Sequence, residues 1–239
     1  TKIINYLKSG GIPVVAGFQA VNNNNRITTL GRGGSDASAI MLANFFKAKQ
    51  CVIFTDVEGV YTTDPNNFKK AKKIKIISYE EMLEMASQGA KVMQPSSIQD
   101  ARLNRIEVDV KSSFVNRKGT LITKRKNILI NKTITGITST KNDAKITIAG
   151  VKDKPGVAAS VFKPLSNHHV NVDMVVQTSS SNNRETDITF TIKLEDLSKT
   201  TRLIKQNKKI KYRNLIINKN VSKVSIIGVG MVTTPGVTY

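Results

Sequence analysis

TTLGRGGSD, at residues 28–36, is the stretch on which the reading of this chain turns. It joins an apolar run to a helical pattern, SDASAIMLANFFKA (35–48), through three glycines, an arginine and hydroxyl side chains. Glycines let a backbone approach a ligand closely, and the start of the next helix offers N–H groups and a partial positive charge. Arg32 can grip a carboxylate or phosphate through two parallel hydrogen bonds. Asp36 can bind Mg²⁺ or orient a lysine, and Ser35 is the expected N-cap. The spacing is neither that of a P-loop nor GxGxxG. The local chemistry favours an anionic-ligand site over an ordinary glycine-rich turn.

Around this loop, strand and helix patterns alternate. IPVVAGF (12–18) and QCVIFTD (50–56) read as buried strands, and IEVDVKSS (106–113) as a further strand. SYEEMLEMASQGA (78–90) predicts an amphipathic helix with Ser78 as cap, Glu81 completing a capping box and Gly89 as stop. PSSIQDARLNR (95–105) predicts a helix opened by proline. Strands separated by helices imply an α/β architecture with a largely parallel sheet. TDVEGVYTTDP (55–65) follows the QCVIF strand, so Asp56 and Glu58 fall at a strand's C-terminal end, where α/β sheets place ligands. Tyr61 can stack on or bond a nucleotide; a plain acidic loop is the alternative.

The signal changes after a basic stretch, KRKNILINKT (124–133), read as a linker. AKITIAGV (144–151), PGVAASVFKPLSNHH (155–169), VNVDMVVQ (170–177), ETDITFTIKL (185–194), EDLSKTTRLIKQN (195–207) and RNLIINK (213–219) give the order β-α-β-β-α-β of a ferredoxin-like unit. ITIAGV with PGV (146–157) is echoed by VSIIGV with PGV (224–237), a sign of tandem modules.

Composition narrows the class. The 239 residues are 39% apolar, and no run is long enough for a membrane helix. Cys51 stands alone, which excludes an internal disulfide framework and fits a reducing cytoplasm. The net charge of +20 raises nucleic-acid binding. Aromatics at 5%, no Trp and an excess of Lys, Asn and Ile favour compositional drift over a base-stacking surface. His168 and His169 lack partners at metal-ligand spacing and read as the polar end of a helix, so no metal site is expected.

GFQA (17–20), TTLGRGGSDASA (28–39), TDVEGVYTTDP (55–65), SYEEMLEMASQGAKVMQPSSIQDA (78–101) and GTLIT (119–123), in that order, resemble the aspartate kinases of the amino acid kinase family. GVKDKPGVAASVF (150–162) and VNVDMVVQ (170–177) resemble the ACT regulatory domain of those enzymes, and VSIIGVGMVTTPGVT (224–238) the opening of a second. The resemblance implies the C-terminal part of an αβα-sandwich kinase domain at 1–126, a ferredoxin-like ACT domain at 134–219 and the start of another at 221–239.

It further implies ATP-dependent phosphorylation of L-aspartate to 4-phospho-L-aspartate, the first step toward lysine, threonine and methionine, with ATP and Mg²⁺ as cofactors. Arg32, Gly33, Gly34 and Ser35 would line the aspartate site, and Asp36 would organise the charges around the transferred phosphate. Thr55, Asp56, Tyr61, Thr62, Thr63, Asp64, Pro65, Asn66 and Lys91 would hold the nucleotide. Lysine or threonine would bind the ACT part at Asp153, Gly156, Val157, Ala158, Asn171, Asp173 and Gln177. A homo-oligomer or a two-subunit assembly through ACT domains is implied, with no nucleic-acid or membrane partner. The family's N-terminal K[FY]GG segment does not occur here, so the expectation is a fragment cut at both ends and inactive alone. A non-catalytic regulatory subunit is the alternative.

Overall fold

The computed structural model describes residues 2–124, 133–179, 185–232 and 234. Most of the expected linker (125–132) and the second PGV (235–237) lie outside the described residues. The chain divides into two compact units, Thr1–Thr138 with Ser225–Tyr239, and Ser139–Val224.

The first unit runs α1 (Lys2–Lys8), β1 (Gln19–Val21), β2 (Ile27–Thr29), α2 (Gly34–Phe45), β3 (Gln50–Thr55), β4 (Ile76–Ser78), α3 (Tyr79–Ser87), α4 (Pro95–Asn104), β5 (Glu107–Ser112) and β6 (Thr120–Thr123). Its main sheet has the order β3-β5-β6-β4. The β3–β5 and β4–β6 ladders are parallel and β5–β6 is antiparallel, so the sheet is mixed. Cys51 and Ile53 of β3, and Val108 and Val110 of β5, turn one face into a core shared with Ile40 of α2, Met82 and Met85 of α3 and Ile98 of α4. Burying each such aliphatic side chain contributes roughly 1.5–3 kcal/mol.

Local chemistry sets the helix starts. Ser78 Oγ accepts the Glu81 N–H at 3.2 Å and the Glu81 carboxylate returns to the Ser78 N–H at 3.3 Å, closing the expected capping box. Pro95 takes the first turn of α4, where its missing N–H costs nothing. Tyr79 is buried and donates its hydroxyl to the Ile106 carbonyl at 2.7 Å. Burial, aided by the charges of Glu107 and Glu80, pushes its phenol up to about 12.

Two expectations change here. Residues 12–18 form no strand, and Ile12 and Val14 are 85% and 96% exposed. This apolar run has no ladder partner among the described residues, and an apolar run alone does not make a strand. Instead β1 and β2 pair as a hairpin, whose turn is held by Asn22 Oδ1 accepting the N–H groups of Asn24 and Arg26. Ser35 is not the cap of α2. Gly33 is, with φ 74°, and Ser35 lies inside the helix.

The second unit runs β7 (Gly136–Lys152), α5 (Val157–Asn167), β8 (Val172–Ser179), β9 (Glu185–Lys193), a 3₁₀ turn (Leu194–Asp196), α6 (Leu197–Gln206) and β10 (Asn214–Ile227). The first residues of β7 and the last of β10 belong to the first unit. The sheet order β10-β7-β9-β8 completes the ferredoxin-like unit. Ile146, Ile148, Phe190 and Ile192 meet Val161 and Leu165 of α5 in its core. Phe162 packs edge-on against Phe190 at 5.4 Å. The strands expected at 213–219 and 224–229 are one continuous β10, since no glycine or proline interrupts residues 219–223. Among the described residues, no helix is long and apolar enough to cross a membrane.

Candidate functional site

The glycine-rich loop owes its shape to backbone freedom and crowding. Gly31 and Gly33 have φ of 77° and 74°, values a side chain resists. A Cβ on Gly33 would fall 1.9 Å from Gln94 Cγ, so the loop lies against the segment that leads into α4. Phe18 closes the other side: its carbonyl accepts the Leu30 N–H at 3.0 Å, and its N–H reaches Ser38 Oγ at 3.1 Å. Arg32 and Ser35 stay exposed at the start of α2, while Gly34 is buried and Asp36 half-buried. Burial raises the Asp36 carboxyl above its ordinary value, and its charge adds to the rise that burial causes at Cys51.

The loop after β3 is tied from several directions. Thr55 Oγ1 donates to Asp56 Oδ1 at 3.1 Å. Glu58 meets Lys73 at 3.2 Å and Arg117 at 3.6 Å. Fully buried Thr120 accepts the Val60 N–H at 2.8 Å and donates to the Ile74 carbonyl at 2.6 Å. Tyr61 bridges Lys73, and Thr62 exchanges hydrogen bonds with the Lys72 backbone. Asp64 closes the tip: its carboxylate accepts the Asn66 N–H and the Asn67 amide, both at 2.9 Å. Thr63 is half-buried; Pro65 and Asn66 are exposed.

Parallel pairing of β3 and β5 brings their C-terminal ends together. There Phe54, Lys111 and residues 112–117 line a groove of about 310 Å³. The sequence reading missed these residues. The signal was available in Lys111 at the C-terminal end of β5 and Arg117 just beyond it, on the same edge of the sheet as Asp56. Lys91 is exposed on the loop between α3 and α4, near the glycine-rich loop only in the sense that Gln94 touches Gly33.

In the second unit, a bulge between Ile148 and Val151 interrupts β7 near its end. Gly150 adopts φ 67° there and donates its N–H to Asp187 Oδ1 at 2.8 Å. The chain then opens a pocket of about 410 Å³, lined by residues 153–158 and Gln177. Gly156, at φ 83°, caps α5, so the helix N-terminus faces this pocket. Of the expected effector residues, Asp153, Gly156, Val157, Ala158 and Gln177 gather at the pocket. Asn171 and Asp173 do not line it, and Asp173 is ion-paired with Lys223. His168 caps the end of α5, its Nδ1 2.8 Å from the Pro164 carbonyl.

Residues 1–112 match the model of the amino acid kinase family, and residues 146–207 that of an ACT domain. The kinase-family match takes in the glycine-rich loop and the loop after β3, and the ACT match takes in the pocket at the start of α5. It is 45% identical over 234 residues to the aspartokinase of Pseudomonas aeruginosa, covering 97% of this chain and 57% of that protein. It is 42% identical to the aspartokinase of Helicobacter pylori, covering 99% of this chain and 59% of that one. It thus spans under two thirds of the length of these relatives. The E. coli aspartokinase III structure in complex with aspartate and ADP superposes with a TM-score of 0.80 at 30% identity, covering 99% of this chain and 53% of that one. The aspartate kinase of Clostridium acetobutylicum reaches a TM-score of 0.83 at 26% identity, covering 94% and 52%.

Proposed function

We propose that this chain belongs to an aspartate kinase, which transfers the γ-phosphoryl group of ATP to the side-chain carboxylate of L-aspartate. The observation that carries this reading is the loop at the start of α2. A left-handed Gly33 pinned beside Gln94 leaves Arg32 and Ser35 exposed at a helix N-terminus. Such an end suits an anionic substrate, and the E. coli relative binds aspartate and ADP. Arg32 grips a substrate carboxylate, with Gly33, Gly34 and Ser35 lining the site.

The nucleotide lies along the loop that holds Thr55, Asp56 and residues 61–66, with Lys91 at its phosphates. Phosphoryl transfer asks chiefly for positioning and charge neutralisation, which fixed loops and cations supply. Asp36 and Asp56 each offer one carboxylate. That donor set suits Mg²⁺, which keeps waters and nucleotide phosphates among its ligands. When bound, it would neutralise charge on the phosphates. Half-buried Asp36 holds the cationic groups around them.

The pocket at the start of α5 takes the feedback effector: its carboxylate on the helix N-terminus, its ammonium on Asp153. Lysine is the first candidate, since E. coli aspartokinase III binds it; threonine is the second. ACT domains pair subunits, the echo of PGV marks a second module from residue 221, and the enzyme works in the cytoplasm.

The test is Arg32→Ala in an enzyme of the relatives' full length. Losing a charged two-pronged contact raises the KM for aspartate or lowers kcat/KM by about 10- to 100-fold. Unchanged aspartate kinetics overturn the assignment.

A further inference from the structure

Residues 133–137 and 225–227 open and close the excursion of the chain into the second unit, yet both segments belong to the first. They are joined there by the Thr135 N–H donating to the Ile227 carbonyl at 2.8 Å. Ile227 is 4% exposed and part of the first unit's core. Together the two segments form a strap.

The strap grips α3 at both ends. Thr135 Oγ1 donates to Glu81 Oε1, while the other oxygen of Glu81 caps the helix through Ser78. At the far end, Ser225 Oγ donates to Gln88 Oε1 at 3.1 Å. Between these points Gly136 passes so close that a Cβ would sit 2.8 Å from Met85 Cε and 3.0 Å from the Thr62 carbonyl oxygen. The strap also reaches the loop after β3: the Ile137 N–H donates to the Thr62 carbonyl at 2.7 Å. Thr62 is therefore held on one side by Lys72 and on the other by Ile137.

We infer that the strap positions the nucleotide loop, with Thr135 and Gly136 acting as positioning residues through Glu81 and Thr62. This rests on the reading of residues 55–66 as the nucleotide loop. The physical case is one of completeness. Thr62 has its N–H, carbonyl and hydroxyl all engaged, and a backbone paired on two sides cannot drift without breaking hydrogen bonds. The carbonyl's partner is the only one of these supplied from outside residues 61–73. Moving the strap by an ångström or two unpairs Thr62 on that side and leaves the turn built on Asp64 anchored only by Lys72 and Lys73. Along the chain, β7 leads from Gly136 to Lys152, just before Asp153.

The test uses Thr135→Val, which keeps the shape and removes the hydroxyl, with Thr135→Ser as the conservative control. Amide hydrogen exchange is followed in this chain without nucleotide, and steady-state kinetics in an enzyme of the relatives' length. Thr135→Val is expected to speed exchange across residues 61–66 and to raise the KM for ATP about fivefold, the scale of one hydrogen bond, with the KM for aspartate unmoved. Thr135→Ser restores both. Unchanged exchange in the loop overturns the strap. Faster exchange or a lower Tm with an unchanged KM for ATP reduces it to a structural contact and overturns the positioning role. Absence of ATP-dependent aspartate phosphorylation in the parent overturns the functional reading instead, a failure the exchange measurement tells apart.

Discussion

Gly33 and Gln94 occupy space that a single added carbon would contest: a Cβ on Gly33 would lie 1.9 Å from Gln94 Cγ. The glycine's φ of 74° is unfavourable for other residues in any case. Gly33→Ala therefore adds backbone strain to a clash that displaces Gln94 from the start of α4. The expected loss is about 2 kcal/mol, seen as a lower Tm, together with weakened aspartate binding. Wild-type stability and aspartate affinity in this variant would rule out the packing argument.

Thr120 sits beneath the other loop. Its hydroxyl is the acceptor for the Val60 N–H and a donor to the Ile74 carbonyl, and the residue is fully buried. Thr120→Val keeps the volume and leaves both backbone groups without that partner. The expected cost is about 1–3 kcal/mol, measurable by urea unfolding with an unchanged m-value. A neutral outcome would mean that water replaces the hydroxyl.

Asp143 contributes to the acid stability of the second unit. Burial alone would raise its pKa, but hydrogen bonds from Lys193 and Thr140, with the charges of Lys193 and Lys223, outweigh burial and hold it below 3.8. A carboxylate depressed on folding stabilises above its unfolded value. That stabilisation is lost as pH falls through the folded value. Asp143→Asn should thus cost about 1–2 kcal/mol at neutral pH. The gap from wild type should close in acid, below the ordinary carboxylate range. A gap independent of pH would assign the effect to packing.

The pocket at the start of α5 gives a ligand test that needs no catalysis. Lysine at about 100 times its Kd should stabilise the folded chain by ~2.7 kcal/mol and raise Tm by a few degrees. Asp153→Ala should abolish the shift, and threonine is the comparison ligand. A shift that survives Asp153→Ala would place the amino acid elsewhere.

The capping box at Ser78 and Glu81, the proline start of α4 and the β-α-β-β-α-β order were all legible in the residues. Each depends on neighbours close in sequence or on simple periodicity. The glycine turn that opens α2 was legible for the same reason, since glycine spacing before a helix is local information. Residues 12–18 show the limit. Their apolar run looks like a strand, but a strand exists only where another offers its ladder.

Sequence by itself thus carried the resemblance to the kinase and ACT families, the order of most elements and the residue types at the two loops. Tertiary structure decided what lies beside them. It set Gln94 against Gly33, brought the ends of β3 and β5 around one groove, kept Asp173 out of the pocket at the start of α5 and paired it with Lys223, and laid Thr135 and Ile137 across α3 and Thr62. These pairings join residues distant along the chain. Their partners are chosen by the closing of a sheet and the filling of a core, which no local pattern encodes.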